Sequence, residues 1–236
     1  MLSPNFWRKY FKVYDFLNEL EPYQSLLGQF VIDLGNIQGK EVLDVGVGTG
    51  NLAVLLNKKG ASITGLDFSK EGLDFFKKKV PDGKVVFHNL RETLPFKDSY
   101  FDYIVSNNTI YTLPKENHLR VLRELFRVMK PGGKIIISNL RVGFKPYKIY
   151  LEHIKWGLKN SGAFKVLLSV LYFAIPSLKI FYYNFLISRE NSEKNYNFFH
   201  DGEQKMLLSK VGFINVSGDK LVYAEQAIMN SGYKFI

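Results

Sequence analysis

The chain has 236 residues, of which 46% are hydrophobic and 15% aromatic, so it can bury a substantial core. This composition excludes a disordered chain, a collagen-like repeat and a disulfide scaffold, and the length favours one domain over 1–236. The absence of cysteine excludes thiolate nucleophiles and cysteine-based metal sites. No apolar run suited to a signal peptide opens the sequence, and we therefore expect a cytoplasmic protein.

The formal net charge is +10, and the excess of basic residues is uneven along the chain. Residues 141–200 carry nine basic and three acidic residues together with 14 aromatic ones, whereas residues 201–236 carry four basic and four acidic residues. We therefore divide the chain into an N-terminal helical cap (1–38), a core (39–140), a basic aromatic helical insertion (141–200), and a C-terminal helix with strands (201–236).

Hydrophobic periodicity predicts the elements in chain order. Apolar residues at helical spacing over 5–35 indicate two helices that are separated at Glu21-Pro22. Strands and helices then alternate, with strands at 41–45, 62–66, 85–88, 103–106 and 134–138 and helices at 51–59, 69–79 and 116–129. This alternation predicts an α/β fold with a Rossmann-like, doubly wound, mostly parallel sheet of about seven strands. A helix over 202–211 and strands near 214–216 and 222–229 complete the prediction.

A glycine-rich turn follows the first predicted strand. Gly46, Gly48 and Gly50 allow a sharp turn and let a ligand lie against main chain that carries no Cβ. Asp44 lies beside this turn, where a carboxylate disfavours a pyrophosphate and favours a cation. Asp67 ends the second strand, where an acid can accept hydrogen bonds from ribose hydroxyls. These two acids favour S-adenosylmethionine, which carries an ammonium and a sulfonium, over a dinucleotide.

Four blocks of the sequence resemble the class I S-adenosylmethionine-dependent methyltransferases in order and spacing. The blocks are Val42-Leu43-Asp44-Val45-Gly46-Val47-Gly48-Thr49-Gly50, Gly65-Leu66-Asp67-Phe68-Ser69, Leu94-Pro95-Phe96 with Phe101-Asp102-Tyr103-Ile104-Val105, and Leu122-Arg123-Glu124-Leu125-Phe126-Arg127-Val128-Met129-Lys130-Pro131-Gly132-Gly133. The resemblance implies an enzyme that converts S-adenosylmethionine to S-adenosylhomocysteine. It also implies that the glycine turn with Val47 borders the methionine part, that Asp67 meets the ribose, and that Phe68 covers one face of the adenine.

The adenine end departs from the family pattern. The family often has an acidic residue near the start of the loop after the third strand, but Leu90 stands there in this chain. We therefore expect the backbone of Leu90 and Arg91, or the side chain of Asn89, to contact the adenine. Tyr14, from the N-terminal helices, and Asn107, after the fourth strand, complete the predicted cofactor contacts.

A narrower resemblance points to the branch that C-methylates ubiquinone and menaquinone precursors. It rests on Tyr14-Asp15-Phe16-Leu17-Asn18 before the first strand and on Gly232-Tyr233-Lys234-Phe235 at the chain end. The segment Ser106-Asn107-Asn108-Thr109-Ile110-Tyr111 departs from the sequence usual in that branch. The resemblance implies a small, aromatic or lipophilic methyl acceptor.

Methyl transfer requires alignment of the two reactants, exclusion of water and sometimes removal of a proton, and it requires no metal. The acceptor should enter over the carboxyl ends of the strands, so Asn107, Asn108 and Tyr111 are expected closest to it. Tyr111 is accordingly a candidate catalytic residue. His153 in the insertion and His200 before the last helix are the candidate bases, because histidine can take up a proton near neutral pH.

Two other functions remain open from the sequence. One is a methyltransferase that acts on RNA or protein, although the chain lacks the Asn-Pro-Pro-Tyr tetrad usual in enzymes that methylate base amines of DNA, and we expect no nucleic-acid partner. The other is a regulatory protein that binds the cofactor without turnover. Methylation of an acceptor while cofactor binding is intact would separate the enzyme from the regulatory protein.

The insertion at 141–200 is predicted to form a helical lid that completes the acceptor pocket. Its charge-free run Val166–Leu178 has 13 residues, which is short for a membrane span of about 20, and Pro176 is expected to kink a continuous helix. We therefore expect no transmembrane helix. Aromatic and lysine side chains together are typical of an interface with a membrane, so the sequence predicts peripheral membrane contact.

Overall fold

The computed structural model describes residues 4–190 and 197–235. Residues 191–196 of the predicted insertion therefore lie outside the described residues. The helices are α1 (Pro4–Leu17), α2 (Glu21–Leu34), α3 (Asn51–Lys58), α4 (Lys70–Lys79), α5 (Lys115–Val128), α6 (Tyr147–Asn160), α7 (Ala163–Glu190) and α8 (Glu203–Val211), with a short 3₁₀ helix at Ile110–Thr112. The strands are β1 (Glu41–Val45), β2 (Ser62–Asp67), β3 (Lys84–Phe87), β4 (Phe101–Asn107), β5 (Met129–Leu140), β6 (Lys220–Val222) and β7 (Ala227–Tyr233).

The strands form one seven-stranded sheet in the order β3-β2-β1-β4-β5-β7-β6. Strands β1 to β5 pair in parallel, whereas β7 runs antiparallel to β5 and β6 runs antiparallel to β7. The order reverses at β1, so β1 and β4 lie side by side where the crossover connections diverge. The predicted Rossmann-like, mostly parallel sheet is confirmed, and its ligand crevice is expected at the carboxyl ends of β1 and β4.

Helices cover both faces of the sheet and bury apolar side chains against it. On one face, Phe30 of α2 and Phe76 of α4 are completely buried. On the other face, Phe101 of β4 and Leu125 of α5 are equally buried. Parallel strands that are covered on both sides read as continuous apolar runs, which explains the sequence of β1 and β5. This double-sided core holds the strand ends that carry the site.

Proline begins α2 at the break that the sequence predicts, and glycine ends the helix. Pro22 lies in the first turn, where a missing N–H costs no intrahelical hydrogen bond, and Leu20 before the helix is extended. Gly35 ends the helix with a φ of 71°, and its N–H donates to the carbonyl of Val31. The break between α1 and α2 turns α2 onto the sheet while α1 remains half-buried at the rim.

The predicted C-terminal strands are wrong in detail. Instead of one strand over 222–229, the chain makes a hairpin between β6 and β7. Tyr223, Ala224 and Glu225 take φ values of 57°, 56° and 61°, so the backbone reverses there although none of the three is glycine. The predicted strand at 214–216 is reduced to a single bridge between Ile214 and Tyr233. Side-chain periodicity gives no sign of such a turn, because the turn is formed by residues that usually avoid it.

Helix α7 runs through Pro176 as one helix of 28 residues, and the kink expected at this proline stays a prediction. Proline removes one backbone donor there, and the Ser177 hydroxyl donates to the carbonyl of Phe173 at 2.6 Å in the same turn. Within α7, the 21 residues Ala163–Tyr183 are long and apolar enough to cross a membrane, with 17% of the apolar window buried. This segment is therefore long enough to span a bilayer, in contrast to the expectation from the 13-residue run.

Candidate cofactor and acceptor site

The glycine turn leaves β1 along the end of β2. The N–H groups of Gly46 and Val47 both donate to the carbonyl of Leu66, at 2.8 and 3.1 Å. Gly46 has a φ of 72°, and a Cβ at this position would collide with the side chain of Thr109 after β4. Only glycine therefore fits at position 46, and it holds the ends of β1, β2 and β4 close together.

Gly48 faces open space. Its φ is 52°, and a Cβ built on it would have no heavy atom within 4 Å. Its N–H donates to Oδ2 of Asp67 at 2.9 Å, while the N–H of Ser69 donates to Oδ1 at 2.8 Å. The turn thus presents bare main chain to a crevice and fixes the carboxylate of Asp67 beside it. This opening is the kind of cradle that a nucleoside cofactor needs.

The crevice is negative. Asp44 is 2% exposed. No described residue donates a hydrogen bond to its carboxylate or forms an ion pair with it. Burial, with a smaller contribution from Asp67, raises the pKa of Asp44 to about 7. Burial also raises the pKa of Asp67, although the N–H groups of Ser69, Gly48 and Phe68 oppose this shift. Two acids without a basic partner suit a cationic ligand and repel a pyrophosphate. The site therefore fits S-adenosylmethionine.

A polar network ties α1 to the glycine turn. The carboxylate of Asp15 accepts hydrogen bonds from the Thr49 hydroxyl, from Asn51 Nδ2 at 3.1 Å and from Lys79 Nζ at 2.6 Å. Lys79 also donates to Oδ1 of Asn51 at 2.7 Å. The roles of Asp15, Asn51 and Lys79 were not predicted, because these partners are far apart along the chain. The one sequence feature that could have indicated this network is the position of Asp15, an acid beside Tyr14 in an amphipathic helix.

The residues expected to contact the adenine are Asn89, Leu90, Arg91 and Phe68. The side chain of Leu90 is buried in the core, so it offers the crevice no polar group. Asn89 Oδ1 accepts the N–H of Arg91 at 3.0 Å, which leaves the Asn89 amide NH₂ for another partner. Phe68 is 72% exposed at the rim and can lie against a flat ring. The adenine contacts of these residues stay predictions.

The end of β4 brings Asn107 next to Tyr23 of α2. Asn107 Nδ2 donates to the Tyr23 hydroxyl at 3.4 Å, and the Oδ1 atoms of Asn107 and Asn108 are buried without a hydrogen-bond partner among the described residues. Tyr14 is half-buried, and burial raises its pKa to about 12. Its phenol is close enough to that of Tyr23 to raise the pKa of Tyr23 further. Polar groups therefore converge where the acceptor is expected.

His153 lies between helices. Its Nδ1 accepts the N–H of Glu21 at 3.1 Å, and its Nε2 is 2.9 Å from the Ser169 hydroxyl, so both ring nitrogens have protein partners. Burial lowers the pKa of the ring, which favours the neutral form. The structure thus uses His153 to join α2 and α7, and no described contact connects it with the glycine turn. A catalytic role for it stays a prediction.

The other two catalytic candidates lie beyond the end of β5. His200 is exposed, and its backbone N–H donates to Glu203 Oε2 at 2.9 Å at the start of α8. Tyr111 stacks on Phe198, and its N–H donates to Oδ1 of Asn139 at 3.0 Å. Neither side chain is joined to Asp44 or Asp67 by a described contact. Their catalytic roles stay predictions as well.

A buried amide network supports the Tyr111 backbone and was not anticipated. Asn139 Nδ2 donates to Gln204 Oε1 at 2.8 Å, and Gln204 Nε2 donates to Oδ1 of Asn230 at 2.8 Å and to the carbonyl of Ile137 at 3.1 Å. These residues are almost fully buried. The network joins β5, β7 and α8 behind the loop that follows β4, and so it fixes one wall of the crevice.

Comparisons with known proteins agree with this geometry. Residues 43–137 match the family model described as a methyltransferase domain. A demethylmenaquinone methyltransferase of Staphylococcus aureus is 29% identical, over 94% of this chain and 89% of that protein. A solved S-adenosylmethionine-dependent methyltransferase from Thermotoga maritima has a TM-score of 0.62 at 20% identity. The match covers 98% of this chain and 100% of the Thermotoga chain.

A second solved structure, an S-adenosylmethionine-dependent methyltransferase from Aquifex aeolicus, has a TM-score of 0.58 at 17% identity, with 98% of each chain covered. These structures share the fold, while the family model matches the segment that holds the glycine turn, Asp67 and the end of β4. Sequence motifs, fold and the negative crevice thus agree. These findings support a class I S-adenosylmethionine-dependent methyltransferase: residues 43–137 match a methyltransferase domain, and nearly the whole chain is similar to an enzyme of the menaquinone branch.

Proposed function

We propose that this enzyme methylates a small, aromatic or lipophilic acceptor that resembles a quinone precursor, and that it works in the cytoplasm at the surface of a membrane. The observation that carries the proposal is the exposed apolar face of α7. The similarity to a demethylmenaquinone methyltransferase along nearly the whole chain supports the same acceptor class.

Helix α7 exposes far more apolar surface than it buries. Its buried apolar residues, Val166, Phe173 and Ile180, are seven residues apart and form one narrow seam. The large side chains that it exposes are Phe164, Leu167, Leu168, Val170, Leu171, Tyr172, Ile175, Leu178, Phe181, Tyr182 and Phe185. A soluble monomer seldom exposes a contiguous apolar patch of this extent, so the patch indicates a partner.

A lipid surface fits the patch better than a span does. The seam packs α7 on α1 and α6, so lipid cannot surround the helix on all sides. Exposed Lys165 and Lys179 lie among the apolar side chains, and Lys155 and Lys159 continue the positive charge on α6. Apolar burial together with attraction to anionic headgroups is the pattern of an interfacial helix. Such a surface gives the enzyme direct access to a lipophilic acceptor.

The chain's own residues supply the binding groups for methyl transfer. S-adenosylmethionine supplies, when bound, a methyl group on a positively charged sulfur. Asp44, Asp67 and the N–H groups around Gly48 hold that ligand by charge and hydrogen bonds, while Asn107 orients the acceptor at the end of β4. Neutral phenols around Asn107 keep the pocket polar without adding charge.

Vesicle cosedimentation tests the membrane part of the proposal. The protein should sediment with vesicles of phosphatidylcholine and phosphatidylglycerol, and less with phosphatidylcholine alone. Leu171→Asp on the exposed face should weaken binding by about tenfold or more, since it places a charge where an apolar group was inserted. Ile32→Asp is the matched control, because Ile32 is 72% exposed, against 62% for Leu171, but lies on α2. Equal losses in the two variants would contradict docking through α7.

A transfer assay tests the acceptor class. Labelled S-adenosylmethionine should methylate a demethylated naphthoquinol in mixed micelles but should not label RNA or protein. Label in RNA or protein would refute the small acceptor. Tight binding of S-adenosylhomocysteine without label in any quinol, phenol or amine would favour a cofactor-binding regulatory protein.

A further inference from the structure

We propose that Tyr23 and Tyr223 form a subsite that donates hydrogen bonds to an oxygen substituent on the ring of the methyl acceptor. The inference rests on the proposed function, since it names the part of the acceptor that the protein recognises. It assigns a role to the hairpin between β6 and β7, which no sequence motif marks.

The hydroxyl of Tyr23 is held with its proton free. Its oxygen accepts a hydrogen bond from Asn107 Nδ2 at 3.4 Å, and its proton goes to no described residue. A phenol oxygen has two acceptor positions and one proton. Because the Asn107 amide occupies an acceptor position, the proton of Tyr23 is available to a ligand.

Tyr223 brings a second phenol to the same place. Its ring packs edge-on against Tyr23 with a centroid distance of 5.8 Å and an interplanar angle of 70°. Its hydroxyl makes no hydrogen bond to any described residue, and its oxygen is not among the fully buried unpartnered atoms. It therefore faces accessible space beside Tyr23. A half-buried phenol without a partner is costly unless a ligand or water meets it.

The backbone that carries Tyr223 is strained. Tyr223, Ala224 and Glu225 are consecutive residues with positive φ, a conformation that side chains with a Cβ avoid. Gln226 holds this turn, since its N–H donates to the Tyr223 carbonyl at 3.1 Å and its Nε2 donates to the Ala224 carbonyl at 3.0 Å. Its Oε1 accepts the N–H of Lys145 at 2.7 Å. The fold therefore maintains an unfavourable turn that places the ring of Tyr223 against that of Tyr23.

The two phenols are donors and not bases. Burial raises the pKa of Tyr23 and of Tyr223 well above the ordinary value, and the neighbouring phenol of Tyr14 adds to both shifts. Both hydroxyls therefore keep their protons throughout the neutral range. A pair of neutral donors suits a carbonyl or a phenolate oxygen, and it stabilises the anionic form of a ring that is about to be alkylated.

Space for the rest of an acceptor lies beside Tyr223. A groove of about 660 Å³ runs between α2, α6 and the hairpin, with Leu26, Gln29, Leu151, Leu221 and Tyr223 in its lining. This volume falls in the range of small-molecule sites, roughly 300–1,000 Å³. Tyr223 thus borders both the groove and the phenol of Tyr23. A residue that positions the ring of an acceptor needs both contacts.

Equilibrium dialysis of matched ligands tests the proposal. The probes are 1,4-naphthoquinone, whose oxygens only accept hydrogen bonds, and naphthalene, which has the same ring system without oxygen. The chain has no cysteine, so the quinone meets no thiol. In the presence of S-adenosylhomocysteine, the wild-type protein should prefer the quinone. Tyr23→Phe and Tyr223→Phe should each weaken quinone binding about three- to tenfold while leaving naphthalene binding unchanged.

Controls separate this inference from the proposed function. Tyr172 is an exposed phenol on α7, so Tyr172→Phe should change the binding of neither the quinone nor naphthalene. Tyr223→Phe removes no hydrogen bond between described residues, so it should fold like the wild-type protein. If both variants keep the wild-type preference for the quinone, the proposed subsite is refuted. A loss of S-adenosylhomocysteine affinity in these variants would also refute it, because the phenols would then belong to the cofactor site. Wild-type protein that binds S-adenosylhomocysteine but neither probe would instead overturn the proposed acceptor class.

Discussion

Cofactor affinity should depend on pH through Asp44. The pKa of this carboxyl is raised to about 7 because it is buried, and the ammonium group of S-adenosylhomocysteine is expected to require its ionised form. With that pKa, about one tenth of the molecules are ionised at pH 6 and about nine tenths at pH 8. The affinity for S-adenosylhomocysteine should therefore rise about tenfold from pH 6 to pH 8 and level off above it. Isothermal titration calorimetry measures this change directly.

Asp44→Asn removes the titrating group. The variant should bind S-adenosylhomocysteine with a flat pH profile, about as weakly at pH 8 as the wild-type protein does at pH 6. Asp74→Asn is the control, because Asp74 is an exposed acid on α4, and it should keep the wild-type profile. A flat wild-type profile, or a midpoint near the ordinary aspartate pKa, would refute the assignment of Asp44 to the cation.

Asp44 should also make the free energy of unfolding fall as pH rises, whereas cofactor affinity rises with pH. The folded-state pKa is raised above the unfolded value of 3.8, so the folded protein binds the proton more tightly. The contribution of Asp44 to the free energy of unfolding is complete below about pH 4 and is lost as pH rises through about 7. A rise from 3.8 to about 7 corresponds to about 4 kcal/mol. Without ligand, Asp44→Asn should therefore be more stable than wild type at pH 8, as urea denaturation would reveal.

Four further variants test the site and the core. Gly48→Val should abolish measurable S-adenosylhomocysteine binding in calorimetry, because valine avoids a φ of 52° and its side chain enters the crevice. Asp67→Ala should weaken the same binding by about tenfold or more, since hydrogen bonds to a charged group contribute about 1.5–3 kcal/mol; unchanged affinity in both variants would mean that the ligand binds elsewhere. Phe30→Ala should lower the free energy of unfolding by about 3–5 kcal/mol in urea titration, because Phe30 is fully buried. His153→Phe should lower the melting temperature and leave kcat unchanged; a large fall in kcat at an unchanged melting temperature would identify it as the base instead.

Local patterns predicted the parts of the fold that depend on local physics. The break at Pro22 before α2 and the strand–glycine–helix sequence around Gly46 each follow from backbone preferences of the residues concerned. The acids at the ends of β1 and β2 were also predictable, because parallel strands end at one edge of the sheet. Their raised pKa values were not, since these depend on burial by residues from other elements.

The sequence failed where a conformation depends on distant partners. The reversal at Tyr223 is imposed by the side chain of Gln226, which in turn is fixed by the backbone of Lys145. The continuity of α7 through Pro176 depends on Ser177 and on packing against α1. The polar role of Asp15 needs Lys79, which is 64 residues away. Composition and periodicity carry no record of such pairings.

Helix α1 joins the cofactor turn to the proposed membrane surface. It is half-buried along its length, so apolar packing alone holds it weakly. Asp15 binds it to Thr49, Asn51 and Lys79 on one side, and the adjacent Phe16 packs against Tyr172 on α7 with ring centroids 4.3 Å apart. The position of α1 therefore depends on both contacts at once. Because the glycine turn and α7 meet through two successive residues, a shift of α1 displaces the polar cover of the cofactor crevice together with the apolar face of the enzyme.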